Sequence, residues 1–357
     1  MAKKLALGLD IGSSSVKLAQ LREGKRGTYQ LASFGIEPLP PQAIVDGAIM
    51  SSSAVVEAIK RLRARVGSKN RSVALAVSGH SVIIKKISLP AMSDEELEEQ
   101  LQWEAEQHIP FDINDVFIAG HPVKRAPGEP NMDVLLVAAK KDMINDHTAV
   151  VREAGLEPVV VDVAAFAVQN TFECCYGLPK NETVALINAG ASSCNINVIA
   201  DEVPSFTRDI ATGGNKMTEE IQKQLNVSFE EAEAYKVGGD HDDHDGVVPQ
   251  EVDAALAREA QAIAGEIQRS LDFYAHTAPE GAYSKVYLSG GTARVQALVK
   301  AIEQRAHVTV TVLDAFRGLT LDEKAFPPGF LRSQAPVAAV AVGLALRHAG
   351  DWFAGGR

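Results

Sequence analysis

Two short glycine-serine loops, each at the end of an apolar run, have the makings of an anion grip. The first lies in LALGLDIGSSSVKLAQL (Leu5 to Leu21) and the second in VALINAGASSCNINVI (Val184 to Ile199). Turns built only from Gly, Ala and Ser let several backbone N–H groups converge on one phosphate with no side chain in the way. Such turns also occur in ordinary hairpins, but two of them half a chain apart point to two halves closing on one polyphosphate. Asp10, ending the first strand, offers either a carboxylate for the water shell of a magnesium ion or a simple turn cap. Lys17 alternates with apolar Val16 and Leu18 and so reads as a solvent-facing strand residue.

The elements expected around these loops make an α/β chain. Each loop predicts a β-hairpin. A helix from about Ser52 to Val66 places Val55, Ile59, Leu62 and Val66 on one face. Two β-rich runs flank Gly79, and an acidic helix follows, opened by a Ser93/Glu96 capping box with Asp94 and Glu95 at the positive end of its dipole. Leu97, Leu101 and Ala105 form its buried stripe, and the helix stops before Pro110. Trp103 lies off that stripe and is either covered by a neighbouring loop or part of a partner surface. Further helices are expected at Met143 to Ala154, after a Ser228/Glu231 capping box, and from Thr292 to Arg305. A long helix carries Leu256, Ala260, Ile263, Ile267, Leu271 and Tyr274 on one side, and PVAAVAVGLALRHAG suits a helix packed on the first half.

At 357 residues the chain has room for two or three units, and 46% hydrophobic with 23% charged residues describes a soluble globular protein. A net charge of -11 argues against a nucleic-acid partner, so a bound nucleotide must be held by local backbone geometry and magnesium. Cys174, Cys175 and Cys194 have no zinc or disulfide spacing and suit a reducing compartment. The run GGDHDDHDG (Gly238 to Gly246) holds His and Asp ligand types, yet without a scaffold it reads as a solvated loop and not a metal site. The opening MAKKLALGLDIG is a strand and not a signal peptide, because Gly8 and Asp10 break its apolar run. No stretch reaches the roughly 18 apolar residues of a membrane span. In the tail RHAGDWFAGGR, Trp352 and Phe353 touch either lipid or the protein surface.

Taken together, these residues resemble the actin-like ATPase superfamily of actin, sugar kinases and chaperone ATPases. The resemblance makes Asp10, Gly12, Ser13, Ser14, Ser15 and Lys17 the phosphate-1 loop, with Lys17 a phosphate contact and Asp10 the metal residue. Asn188, Gly190, Ser192 and Ser193 become phosphate-2, and Ser289, Gly290, Gly291 and Thr292 the adenosine loop. Gly213 and Gly214 would let backbone approach the sugar or base. Glu233 and Lys236 match an A-E-x-x-K pattern that contacts ribose or adenine, although by spacing alone they are an ordinary i, i+3 pair. Asp162 falls where relatives keep a residue that orients the attacking water, and the alternative is a strand-end cap. Many members have aspartate at the position of Asn188; asparagine keeps the shape without the charge, which argues against hydrolysis more than against binding.

Within the superfamily, WEAEQHIPFDINDV, RDIATGGNKMTEEIQ and EIQRSLDFY resemble the PilM family of type IV pilus assembly. The expected fold is α/β, actin-like (ribonuclease-H-like), with two domains and an inserted small α+β subdomain. The expected divisions are 1–78 and 162–183 for the first domain, 79–161 for the inserted partner-groove unit, and 184–334 for the second domain, with a helical insertion at about 215–275. Residues 335–357 return to the first domain. The resemblance implies an ATP- and Mg2+-binding cytoplasmic scaffold, with slow or absent hydrolysis. It would be peripheral to the inner membrane through partners, capturing the N-terminal cytoplasmic peptide of PilN beside other platform or motor components, in a homo-oligomeric ring. The alternatives are an active actin-like ATPase and an FtsA-like cell-division protein.

Overall fold

The computed structural model describes residues 5–124, 130–238, 250–278, 281–322 and 325–351. Strands β1 (Leu7–Ile11), β2 (Ser15–Glu23) and β3 (Tyr29–Pro38) are followed by a small hairpin, β4 (Ile44–Val45) and β5 (Ala48–Ile49), and by helix α1 (Ser52–Val66). Strand β6 (Ser72–Val77) leads into β7 (Val82–Pro90), α2 (Asp94–His108), β8 (Val116–Lys124), β9 (Asn131–Lys140) and α3 (Lys141–Glu153). Then come β10 (Glu157–Val163), α4 (Ala164–Tyr176), β11 (Thr183–Ala189), β12 (Cys194–Ala200) and β13 (Val203–Ile210). Helices α5 (Asn215–Leu225), α6 (Phe229–Val237) and α7 (Gln250–Thr277) precede β14 (Lys285–Ser289), α8 (Gln296–Ala306) and β15 (Thr309–Val312). The last elements are β16 (Thr320–Leu321), α9 (Phe330–Gln334) and α10 (Ala339–Ala345).

Two large sheets organise the chain. The first has the order β10-β6-β1-β2-β3-β16 and the second β13-β12-β11-β14-β15. Their central strands are covered on both faces, which is why they read as near-continuous apolar runs. On β1, Leu7, Leu9 and Ile11 join a cluster with Val55, Ile59 and Leu62 of α1. Each such fully buried side chain contributes about 1.5–3 kcal/mol. The opposite face of β1 presents Gly8 to α10, where an added Cβ would lie 1.9 Å from the Ala341 carbonyl oxygen. Gly343 does the same against α4, since a Cβ there would meet the Ala167 oxygen at 1.7 Å. Glycine is the residue that lets these layers touch backbone to backbone.

Helices α4 and α10 share one core cluster with residues of both large sheets, Ala19 and Ala74 from the first, Val184, Leu186 and Ile199 from the second. Phe172 of α4 meets Tyr287 of β14 edge-on with ring centroids 4.7 Å apart. In the second half, Ile263, Ile267, Leu271 and Tyr274 of α7 pack on Ile187, Ile196 and Val198, as the periodicity of that helix predicts.

Strands β7, β9 and β8 form a separate three-stranded sheet under α2. Both predicted capping boxes are present, Ser93 with Glu96 and Ser228 with Glu231. Leu97 and Ala105 are buried, and Leu101 packs partly buried beside them. Trp103 is 63% exposed, so the reading in which a loop covers it does not hold. The expected limit of the small unit at Val161 cuts through β10, which pairs in parallel with β6 in the first sheet. The expected helix start at Thr292 is a 3-10 turn (Gly291–Arg294), with α8 beginning at Gln296. Most of the GGDHDDHDG run, together with Trp352 and Phe353, lies outside the described residues. Among the described residues no helix is long and apolar enough to cross a membrane.

Candidate functional site

The two glycine-serine loops are the turns of hairpins β1–β2 and β11–β12, and they are built alike. Gly12 N–H donates to the Ser15 carbonyl at 3.1 Å, and Gly190 N–H donates to the Ser193 carbonyl at 2.9 Å. The register places Asp10 opposite Lys17 in one and Asn188 opposite Asn195 in the other. In the first, Lys17 Nζ is 3.2 Å from Asp10 Oδ2. In the second, the Asn188 amide donates to Asn195 Oδ1 at 3.1 Å. A carboxylate and an ammonium in one hairpin thus correspond to two neutral amides in the other.

The loops meet tip to tip across the cleft between the large sheets, where the Ser192 hydroxyl donates to Ser13 Oγ at 2.9 Å. The backbone amides of Ser13, Ser14, Ala191, Ser192 and Ser193 donate to no protein acceptor among the described residues. All five residues line a cavity of about 680 Å³, where unspent N–H donors can serve an anion. This volume lies within the range of small-molecule and cofactor sites.

A third corner closes the cleft. Gly290 has φ +92, and a Cβ there would come within 2.2 Å of the Ala189 carbonyl oxygen. The Ser289 hydroxyl donates to Asn188 Oδ1 at 3.3 Å, and the Thr292 hydroxyl to the Gly190 carbonyl at 2.8 Å. Gly291 is open, with nothing within 4 Å of the place a Cβ would take. Asp10, Gly12, Ser13, Ser14, Ser15, Lys17, Asn188, Gly190, Ser192, Ser193, Glu233, Lys236, Gly290, Gly291 and Thr292 all line the one cavity.

Three of the sequence-derived residues behave differently. Gly213 and Gly214 stand behind the second loop and do not line the cavity: a Cβ on Gly213 would be 2.6 Å from the Gly190 oxygen, and Gly214 N–H donates to that oxygen at 3.0 Å. They brace that loop from outside. Asp162 also lies off the cavity, 3% exposed, with one oxygen held by Arg347 Nε at 2.7 Å and the other by Val163 N–H at 2.8 Å. Both oxygens thus have protein partners, the geometry of a strand-end cap and ion-pair anchor.

Glu233 and Lys236 are more than a surface pair. Lys236 is 8% exposed and spends its three ammonium donors on Glu233 Oε2 (2.5 Å), Thr218 Oγ1 (3.0 Å) and the Gly214 carbonyl (3.3 Å). Burial pushes its pKa down, and the Glu233 carboxylate opposes that shift. The Glu233 side chain, 39% exposed, is the more open member of the pair.

Among the cavity residues that the sequence reading missed are Asn195 and Asp209. Asn195 had a signal: it follows Asn188 by seven residues, as Lys17 follows Asp10. Its other end donates to Asp209 Oδ1 at 2.7 Å. Burial pushes the Asp209 carboxyl up, while the Asn195 amide and the Gly79 N–H pull it the other way. Asp10 Oδ2 pairs with Lys17, while no hydrogen bond or ion pair among the described residues engages its Oδ1. That oxygen suits a water of a hydrated divalent cation.

Comparison with known proteins agrees with this architecture. Residues 8–349 match the family model of the type IV pilus assembly protein PilM. A chain of the PilM-PilN type IV pilus biogenesis complex superposes with a TM-score of 0.85 at 27% identity, covering 97% of this chain and 98% of that one. The cell division protein FtsA of Bacillus subtilis (strain 168) is 26% identical over 257 residues, 65% of this chain and 57% of its own length, so the match spans little more than half of that relative. MreB5 of Spiroplasma citri, in a structure bound to ADP, shares the fold with a TM-score of 0.52 at 14% identity over 95% of this chain and 94% of its own. The fold is actin-like, and the chain belongs to the PilM family of type IV pilus assembly proteins.

Proposed function

We propose that the cleft binds ATP with Mg2+, and that the nucleotide-loaded chain is a scaffold of the type IV pilus inner-membrane platform that captures the N-terminal cytoplasmic segment of PilN. The observation that carries the nucleotide reading is the pair of hairpin turns meeting through Ser13 and Ser192, with the amides of Ser13, Ser14, Ala191, Ser192 and Ser193 left without a protein acceptor among the described residues in one cavity. Polyphosphate supplies the anionic oxygens that those donors lack. Asp10 and Lys17 would hold the hydrated cation and a phosphate oxygen, Glu233 would face the sugar or base, and Gly290 to Thr292 would border the adenosine end. When bound, Mg2+ neutralises phosphate charge that this net-acidic chain cannot offset globally.

Turnover is slow or absent in this reading. Asn188 carries no charge and has its amide and carbonyl committed to Asn195 and Ser289. The match to a chain of a PilM-PilN complex supports PilN as the partner. Exposed Trp103 on α2 and Phe117 on β8 support the small unit as the partner face. Capture of a membrane protein's segment would bring the chain to the inner membrane, and a homo-oligomeric ring would present several such faces together.

The test is to incubate the purified chain with Mg-ATP, remove free nucleotide and identify by chromatography what stays bound. Intact ATP retained over hours is expected. No retained nucleotide would end the reading of the cleft, and retained ADP would replace the scaffold with an ATPase cycle.

A further inference from the structure

Strand β13 belongs to two neighbourhoods. It is the edge strand of the second large sheet, and it also packs against β7 and β8 of the small unit. Asp209 sits on β13 at that meeting point. Its Oδ1 accepts the Asn195 side-chain amide at 2.7 Å, and its Oδ2 accepts the backbone N–H of Gly79. Gly79 joins β6 to β7 with φ +93, a conformation that side-chain-bearing residues rarely adopt, so the direction of its N–H is set at the entrance to the small unit.

From Asn195 the hydrogen bonds continue into the cleft. Asn195 Oδ1 accepts from the Asn188 amide at 3.1 Å, and Asn188 Oδ1 accepts from the Ser289 hydroxyl at 3.3 Å. An unbroken run therefore links Ser289, Asn188, Asn195 and Asp209 to Gly79. It begins beside the second glycine-serine turn and ends on the backbone that carries the small unit.

We infer that Asn195 and Asp209 are positioning residues that make the setting of the small unit, and hence its affinity for a partner, depend on occupancy of the nucleotide cleft. This rests on the nucleotide reading given above. A phosphate held by the amides of Ala191 to Ser193 fixes the β11–β12 turn, and with it the Asn188–Asn195 pair that orients Asp209 toward Gly79. A ligand shifts such an equilibrium only as far as it prefers one state, and the coupling works in both directions, so a partner docked on the small unit tightens nucleotide in equal measure.

Two variants separate the links. Asp209→Asn replaces one acceptor oxygen by an amide donor, which must then face either the Gly79 N–H or the Asn195 amide. Asn195→Ala keeps the Asp209–Gly79 contact and cuts the run to the cleft. The experiment measures amide hydrogen exchange of residues 79–90 in the full chain, with and without saturating Mg-ATP, alongside equilibrium dialysis of the nucleotide. In the parent, Mg-ATP is expected to slow exchange of this segment by at least about fivefold, the lower end of typical coupling factors. Asp209→Asn should exchange fast in both conditions. Asn195→Ala, whatever its basal rate, should lose the response to bound Mg-ATP. A parent that binds nucleotide without any change in this segment, or an Asn195→Ala variant that responds as the parent does, overturns the inference. A parent that binds no nucleotide overturns the reading of the cleft and the inference with it. Should Asp209→Asn fail to fold, the Asn195→Ala arm decides.

Discussion

Deleting the Arg347 guanidinium separates an anchoring role for Asp162 from a chemical one. The Asp162 side chain is 1% exposed and that of Arg347 28%. Arg347 holds Asp162 Oδ2 through Nε at 2.7 Å and Nη2 at 2.6 Å, while Oδ1 has Val163 N–H at 2.8 Å. Removing one partner of a buried ion pair costs about 3–5 kcal/mol, because the other charge is left without compensation. In Arg347→Ala the Val163 N–H remains, and water can follow the partly open path of the lost side chain, which places the expected loss near the lower end, about 3 kcal/mol. With a urea slope of about 3 kcal/mol/M, the unfolding midpoint of the first sheet should fall by about 1 M. Circular dichroism during urea titration reads this directly. The double variant Asp162→Leu with Arg347→Met, which removes both charges, should recover most of the loss. Nucleotide retention at low urea should be unchanged in Arg347→Ala. An Arg347→Ala midpoint within about 0.2 M of the parent, roughly 0.5 kcal/mol, would refute the anchor argument. So would an Asp162→Asn variant of parental stability that alters nucleotide turnover.

Gly290→Ala should weaken nucleotide retention and cost about 1–3 kcal/mol for its positive φ alone, since the new Cβ would meet the Ala189 oxygen at 2.2 Å; Gly291→Ala, with open space around it, should fold as the parent does, and dialysis with urea titration compares them. Alkylation of the folded protein at pH 8 should label Cys174, whose thiol the neighbouring Cys175 holds below its usual range, and spare Cys194, which burial pushes up to about 12; mass mapping that finds Cys194 labelled first would contradict the buried geometry of β12. Burial pushes buried His147 below its usual range, with its bond to the Met143 carbonyl opposing. The unfolded chain therefore takes up a proton that the folded chain resists, and stability should decline as pH falls below about 6.5, by at most about 1.4 kcal/mol per pH unit. His147→Gln should show a shallower fall in urea midpoint between pH 7.5 and 5.5.

Features set by neighbours in sequence were readable in advance. The Ser93/Glu96 and Ser228/Glu231 boxes are closed within four residues, and both form. The two hairpin turns carry their own hydrogen bonds, Gly12 to Ser15 and Gly190 to Ser193, so their type and place followed from composition. Features set by distant neighbours were not. Asp162 has the local look of a residue facing a cleft, yet its partner Arg347 is 185 residues away. Trp103 was open to two readings because a helix pattern says which face is buried locally and nothing about which loop arrives to cover the other. Asp209 gave no signal of its own, since its partners Asn195 and Gly79 are 14 and 130 residues distant. Gly213 looked like a ligand-approach glycine, and the backbone it lets approach is that of Gly190 and Ala191.

The contact between Gly8 and α10 also sets a timetable for biosynthesis. The five-stranded sheet draws its strands from Thr183 to Val312 and leaves the ribosome as one continuous stretch. The six-stranded sheet has its first five strands by Val163, but the face of β1 that carries Gly8 stays bare until Ala345 has been made, 182 residues later (345 − 163). At about 5–20 residues per second, that is roughly 10–35 s during which an apolar sheet face is exposed on a nascent chain. The second half can close while the first is still waiting for α10, so slow translation near α10 should lengthen the time for which that face is exposed.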